Sequence, residues 1–166
     1  MHAEAKTFVS QFSTSNPITV IEIGSRYING TIRTEFPGAV WTGLDMRPGR
    51  CVDWVGNALD YIPESLVDLV ICCEVFEHTD QWSEIIAHAE KWIQPGGRFI
   101  ITCAGPGRKP HSAIDGGKVR AGEHYANITA AEMRPVIESA GLRVEICHEV
   151  KTDLQVFARK SEQNIW

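Results

Sequence analysis

The sequence predicts an α/β domain: a mostly parallel, seven-stranded sheet with helices on both faces and a reversed hairpin at its C-terminal end. Three observations carry this. Short β-rich apolar runs alternate with segments of helical period. The most apolar run, LVDLVICC at 66–73, has no polar face, as a central strand covered on both sides requires. The last two runs, LRVEICHEV (142–150) and DLQVFARK (153–160), alternate in polarity and are separated only by Lys151 and Thr152, which reads as an antiparallel hairpin.

The elements follow in order. ITVIEI (18–23) is a buried strand, and INGTIRTEF (28–36) a short helix stopped by Pro37 and Gly38. AVWTGLD (39–45) is the second strand and CVDWVG (51–56) a short third. LVDLVICC is the fourth. DQWSEIIAHAEKWIQ (80–94) is the strongest helix: Trp82, Ile85, Ile86, Ala89 and Ile93 share one face and Asp80 is placed to cap it. RFIITCA (98–104) is the fifth strand, after Pro95-Gly96-Gly97. Residues 105–128 have no periodicity, and a loop that long in a compact domain is usually functional. TAAEMRPVIESAG (129–141) is a helix with a Thr129/Glu132 capping box, Gly141 at its end and Pro135 inside, which predicts a late start or a kink.

Composition bounds the function. At 166 residues the chain fits a single domain, 1–166, with an N-terminal segment (1–17) and a candidate lid and acceptor loop (105–128). A net charge of −5 disfavours nucleic-acid backbones as partners. No apolar run is long enough for a membrane span, and the first residues lack the basic and apolar regions of a secretory signal, so a cytoplasmic protein is expected. The five cysteines have no C-x-x-C spacing and read as reduced core residues. Phe8, Val9 and Phe12 have helical spacing and could close over a ligand or dock as a helix. Trp54, Tyr61 and Trp166 are candidate surface anchors, and the oligomeric state is open.

The chemistry concentrates where strands end, as it does in open parallel sheets. Glu22 lies in the last turn of a buried-looking strand, two residues before Gly24, and needs a partner there. Asp45 ends the second strand in WTGLDM, Gly56-Asn57-Ala58 follows the third, and CEVFEH, with Glu74, Glu77 and His78, follows the fourth. The order and spacing of these motifs, with PGGRFIIT and the closing hairpin, resemble the class I S-adenosylmethionine-dependent methyltransferases, and within them the small, single-domain type 11-like branch. The resemblance spans about residues 20–160. It implies a Rossmann-like sheet and S-adenosylmethionine as cofactor. Glu22, Gly24, Ser25, Arg26, Asp45, Met46, Asn57, Ala58 and Glu74 are its expected binding residues. Gly24 would let the backbone approach the cofactor's amino-acid end. Glu22 would brace that turn or, through it or a water, meet the ammonium. Asp45 would accept both ribose hydroxyls, Met46 would lie against adenine and Asn57 would meet the adenine edge. Glu74 would border the sulfonium. Ser25 and Arg26 stand where the family commonly has a second glycine, and Arg26 could reach the cofactor's carboxylate. GSRYING also lacks the G-x-G-x-x-G dinucleotide pattern, against a nicotinamide oxidoreductase.

The expected activity is methyl transfer to a small-molecule or carbohydrate-like acceptor, on oxygen. The alternative is a non-catalytic cofactor-binding or scaffold module with the same fold. A hydroxyl acceptor calls for a base, and the long loop offers His124 first, then His111, with Tyr125 beside them. Arg108, Lys109, Lys118 and Arg120 make that loop locally basic, which suits an anionic or sugar-phosphate acceptor or, equally, solvated charges. No metal is expected: Glu77 and His78 are adjacent and would diverge on a helix, and no other ligand has suitable spacing. Cys72-Cys73 lacks the Pro-Cys context of a nucleophilic cysteine.

Overall fold

The computed structural model describes residues 3–162. Seven strands form one sheet: β1 (Ile18–Ile23), β2 (Ala39–Asp45), β3 (Trp54–Val55), β4 (Val67–Cys73), β5 (Ile93–Ala104), β6 (Leu142–Val150) and β7 (Asp153–Lys160). Their order is β3-β2-β1-β4-β5-β7-β6. The first five are parallel, and β7 runs antiparallel between β5 and β6. The order reverses between β1 and β4, so the carboxyl ends of those two strands open a crevice for a ligand.

Alternate residues of the central strands feed two cores. On one face Ile21, Ile23, Val70, Cys72, Phe99 and Ile101 pack beneath α2 (Trp82–Ala89) and α3 (Ala130–Ser139). On the other, Val20, Leu69, Ile71 and Ile100 meet α1 (Ala3–Ser10) through Phe8 and Val9, and Phe12 stacks on Phe157 at 4.2 Å. The apolar N-terminal set therefore docks on the sheet and lines no part of the cleft described below. Each fully buried phenylalanine contributes about 1.5–3 kcal/mol, so α1 is held by burial more than by its own helix propensity.

Several expectations are corrected. The helix expected over 28–36 is a single 3-10 turn, Arg33–Glu35, because Gly30 sits at φ 110° and Ile28 and Asn29 are exposed. The third strand shrinks to Trp54–Val55. The helix expected over 80–94 stops at Ala89, continues as a 3-10 turn at Glu90–Trp92, and starts after Gln81 with no side-chain cap from Asp80. β5 begins earlier than expected, at Ile93. The capping box at Thr129 forms with both hydrogen bonds, and α3 runs from Ala130 through Pro135 without a late start. Trp54 and Tyr61 are half-buried and pack edge to face at 5.3 Å against the core rather than standing as free anchors; Trp166 lies outside the described residues.

Candidate active site

Two adjoining chambers, of about 520 Å3 and 720 Å3, open at the carboxyl ends of β1, β2 and β4, and the loop 105–128 folds over both. Gly24, Arg26, Ile28, Glu74, His78 and Ala113 border both chambers. Both volumes fall within the range of small-molecule sites, about 300–1,000 Å3.

The turn after β1 is built around Gly24. It takes φ 76°, and a Cβ there would lie 2.1 Å from Val75 Cγ2, so only glycine fits. The amides of Gly24 and Ser25 both donate to the Leu44 carbonyl, which ties this turn to the end of β2. Glu22 is 6% exposed and accepts from Arg33 Nε at 2.9 Å; Arg33 also donates to the Cys51 carbonyl and lies over the Trp41 ring. The partner that this strand-end carboxylate requires is thus Arg33, delivered by the 3-10 turn. Burial outweighs that arginine and pushes the Glu22 carboxyl up to about 7.

The first chamber holds most of the expected cofactor residues: Gly24, Arg26, Asp45, Met46, Asn57, Ala58 and Glu74. Asp45 accepts from the amides of Arg26 (3.2 Å) and Arg47 (2.9 Å), leaving further lone pairs toward the chamber. Met46 is exposed at the rim. Asn57 caps the next turn by accepting from the Leu59 amide and donates to Gln81 Oε1, which leaves one amide hydrogen and one lone pair. Glu22 and Ser25 line the second chamber instead, and the Ser25 hydroxyl is buried without a hydrogen-bond partner among the described residues. Arg26 crosses between the chambers, donating to the Ile114 carbonyl at 3.1 Å with Nε 3.8 Å from Asp45.

The second chamber is walled by Arg108, Lys109, His111 and Lys118. Of the four basic loop residues, two are in ion pairs: Arg108 with Glu74 and Asp153 in a largely buried cluster, and Arg120 with Asp115 on the surface. Glu74 sits at φ 58°, a conformation a non-glycine residue adopts at a cost of about 1–3 kcal/mol, and it accepts from Thr102 Oγ1 at 3.0 Å.

The three loop residues suggested as base are in different places. His124 is exposed and lines the first chamber. His111 lines the second, with Nδ1 3.2 Å from the Lys109 carbonyl. Tyr125 lines neither, donates its hydroxyl to the Lys109 carbonyl, and is pushed up to about 12 by burial, so it keeps its proton near neutrality. The rings of His78, His111 and Tyr125 meet edge to face at 4.9–5.5 Å.

Glu77 and His78 overturn the expectation that they diverge. They lie on a 3-10 turn, Phe76–His78, and with His111 they bring ligand atoms within 4.8 Å of one another. Their signal in the sequence was the CEVFEH motif itself; the third member is carried in by the loop. The thiols of Cys72 and Cys73 are buried and pushed up by burial, which removes any nucleophilic role.

Residues 37–101 match the family model described as Methyltransferase domain. Solved structures share the fold. A 1,6-didemethyltoxoflavin-N1-methyltransferase from Burkholderia thailandensis, with bound 1,6-didemethyltoxoflavin and S-adenosylhomocysteine, aligns with a TM-score of 0.72 and 18% identity over 95% of this chain and 79% of that one. The N-methyltransferase NodS from Bradyrhizobium japonicum WM9, in complex with S-adenosylhomocysteine, aligns with a TM-score of 0.66 and 17% identity over 96% of this chain and 87% of that one. Among curated proteins, a 40-residue stretch is 42% identical to adenylosuccinate synthetase of Clostridium acetobutylicum; it spans 24% of this chain and 9% of that enzyme, and has no bearing on the whole. Residues 37–101 thus match a methyltransferase domain, and the whole chain shares its fold with methyltransferases solved with S-adenosylhomocysteine bound.

Proposed function

We propose that the protein transfers a methyl group from S-adenosylmethionine to a hydroxyl of a small, carbohydrate-like acceptor. The observation that carries this reading is the pair of joined chambers: one lined by strand-end polar residues, the other by His111 and basic side chains. The residues fit the cofactor. Gly24 holds a positive-φ turn at the rim of both chambers, and the Ser25 hydroxyl is buried without a partner among the described residues. Bound there, S-adenosylmethionine supplies an electrophilic methyl on a sulfonium.

In this reading Asp45 accepts from the ribose hydroxyls, Ala58 and Ile85 give the adenine an apolar wall, and Asn57 offers its remaining amide hydrogen. Arg26 meets the cofactor's carboxylate. The loop 105–128 aligns the acceptor and excludes water, the main contribution an enzyme makes to an in-line displacement. His111 takes the hydroxyl proton on Nε2 while Nδ1–H is held by the Lys109 carbonyl. Lys109 and Lys118, both lining the second chamber, favour an acceptor carrying an anionic group.

Isothermal titration with S-adenosylhomocysteine, beside reduced nicotinamide dinucleotide and an Asp45→Ala variant, tests the reading. Micromolar binding of the first ligand alone, weakened about tenfold or more in the variant, is expected, since a hydrogen bond to a charged group contributes about 1.5–3 kcal/mol. Absence of binding would overturn it. Binding without methylated product across a panel of sugars and phenols would favour a non-catalytic module.

A further inference from the structure

We propose that Glu77, His78 and His111 form a site for a divalent transition-metal ion in the wall of the second chamber. The three side chains come from the turn after β4 and from the loop 105–128, and their ligand atoms all lie within 4.8 Å of one another. Glu77 is 0% exposed, and neither of its carboxylate oxygens has a hydrogen-bond partner among the described residues. His78 Nδ1 is likewise buried and unpartnered. A buried carboxylate left without a partner is costly. Arg108, the nearby cation, is committed to Asp153 and Glu74.

The donor set suits a cation. His111 has Nδ1 at the Lys109 carbonyl, the arrangement in which a metal-binding histidine donates one ring N–H to an outer acceptor and presents the other nitrogen. Two imidazoles and one carboxylate select a first-row ion such as Zn2+, Co2+ or Mn2+ over Mg2+ or Ca2+, which prefer oxygen ligands. At metal–ligand distances of about 2.0–2.2 Å, tetrahedral ligand atoms stand about 3.4 Å apart, so closing the site from 4.8 Å takes shifts of about 1 Å or less per side chain.

The consequence for catalysis rests on the methyltransferase reading. An ion there would bind the acceptor hydroxyl and lower its pKa, and the proton would pass to solvent water. The oxygen would then form its bond to the methyl carbon as the carbon–sulfur bond breaks, with the electron pair staying on sulfur. His111 would act as ligand and not as base, so the two roles exclude each other.

The test uses the tag-free full chain after dialysis against a chelator. It is titrated with Co2+, followed by visible d–d absorption, and with Zn2+ by calorimetry, while S-adenosylhomocysteine binding is measured separately. One ion per chain is expected, weakened about tenfold or more in both His111→Ala and Glu77→Gln, with His148→Ala on the distant β6 unchanged. No stoichiometric binding, or binding equal in wild type and His111→Ala, overturns the site, whether or not Glu77→Gln folds. S-adenosylhomocysteine binding without metal binding would sink this inference alone; metal binding without it would sink only the methyltransferase reading.

Discussion

Two carboxylates are buried at the carboxyl edge of the same sheet, and their surroundings are opposite. Glu22, at the end of β1, is 6% exposed and bonded to Arg33 at 2.9 Å. Glu77, after β4, is 0% exposed, and neither of its oxygens has a hydrogen-bond partner among the described residues. The first is a brace: through Arg33 it fixes the 3-10 turn and, by way of the Cys51 carbonyl, the segment after β2. The second contributes nothing comparable to the fold. A buried carboxylate without a hydrogen-bond partner among the described residues, beside two histidines, is what the proposed ion would answer.

The sharpest way to break this comparison is to remove the brace. Arg33→Met should cost about 4 kcal/mol, because it strands a buried carboxylate, whereas Glu77→Gln in the metal-free protein should cost under about 1 kcal/mol, since no hydrogen bond is lost. Urea denaturation of both variants checks this; equal losses would mean the two sites do the same structural work.

A pH series sharpens it next. The Glu22 carboxyl is raised from 4.5 to about 7 in the folded chain. The folded state therefore holds this proton more tightly than the unfolded state. That contribution to stability is fully present below about pH 4.5 and is lost as pH rises through about 7. Stability of the wild type relative to Glu22→Gln should fall by up to about 3 kcal/mol across this window, read from urea midpoints at each pH. A flat difference would show that Arg33 keeps Glu22 ionised throughout. Thr129→Ala sets the scale at the small end: it removes an ordinary cap far from both carboxylates and should cost about 1 kcal/mol, measurable as a lowered thermal midpoint.

Much of the architecture was legible in the residues. The apolar run of β4, the alternation of β6 and β7, and the Thr129/Glu132 pair are local patterns whose period or spacing belongs to one element, and each forms as expected. The helix expected at 28–36 failed because Ile28, Ile32 and Phe36 have helical spacing while Gly30 adopts a positive φ and ends any continuous helix there. The strand-end residues Gly24, Asp45 and Asn57 were legible for the same local reason, since strand ends are where such a sheet gathers ligands.

What the sequence by itself determined is the sheet, its reversed hairpin and the strand-end half of the cleft, because side-chain period and turn chemistry act over a few residues. Only the tertiary structure decided that Glu22 is answered by Arg33, that His124 and His111 face different chambers, and that Glu77, His78 and His111 converge. Those relations depend on how the loop 105–128 folds back. Its course is fixed by bonds distant in sequence: the Ala126 amide to the Glu77 carbonyl, the Ile128 amide to the Ala104 carbonyl, and Arg26 to the Ile114 carbonyl. No local pattern encodes such closures, since each is made only when the sheet beneath has already brought its two ends together.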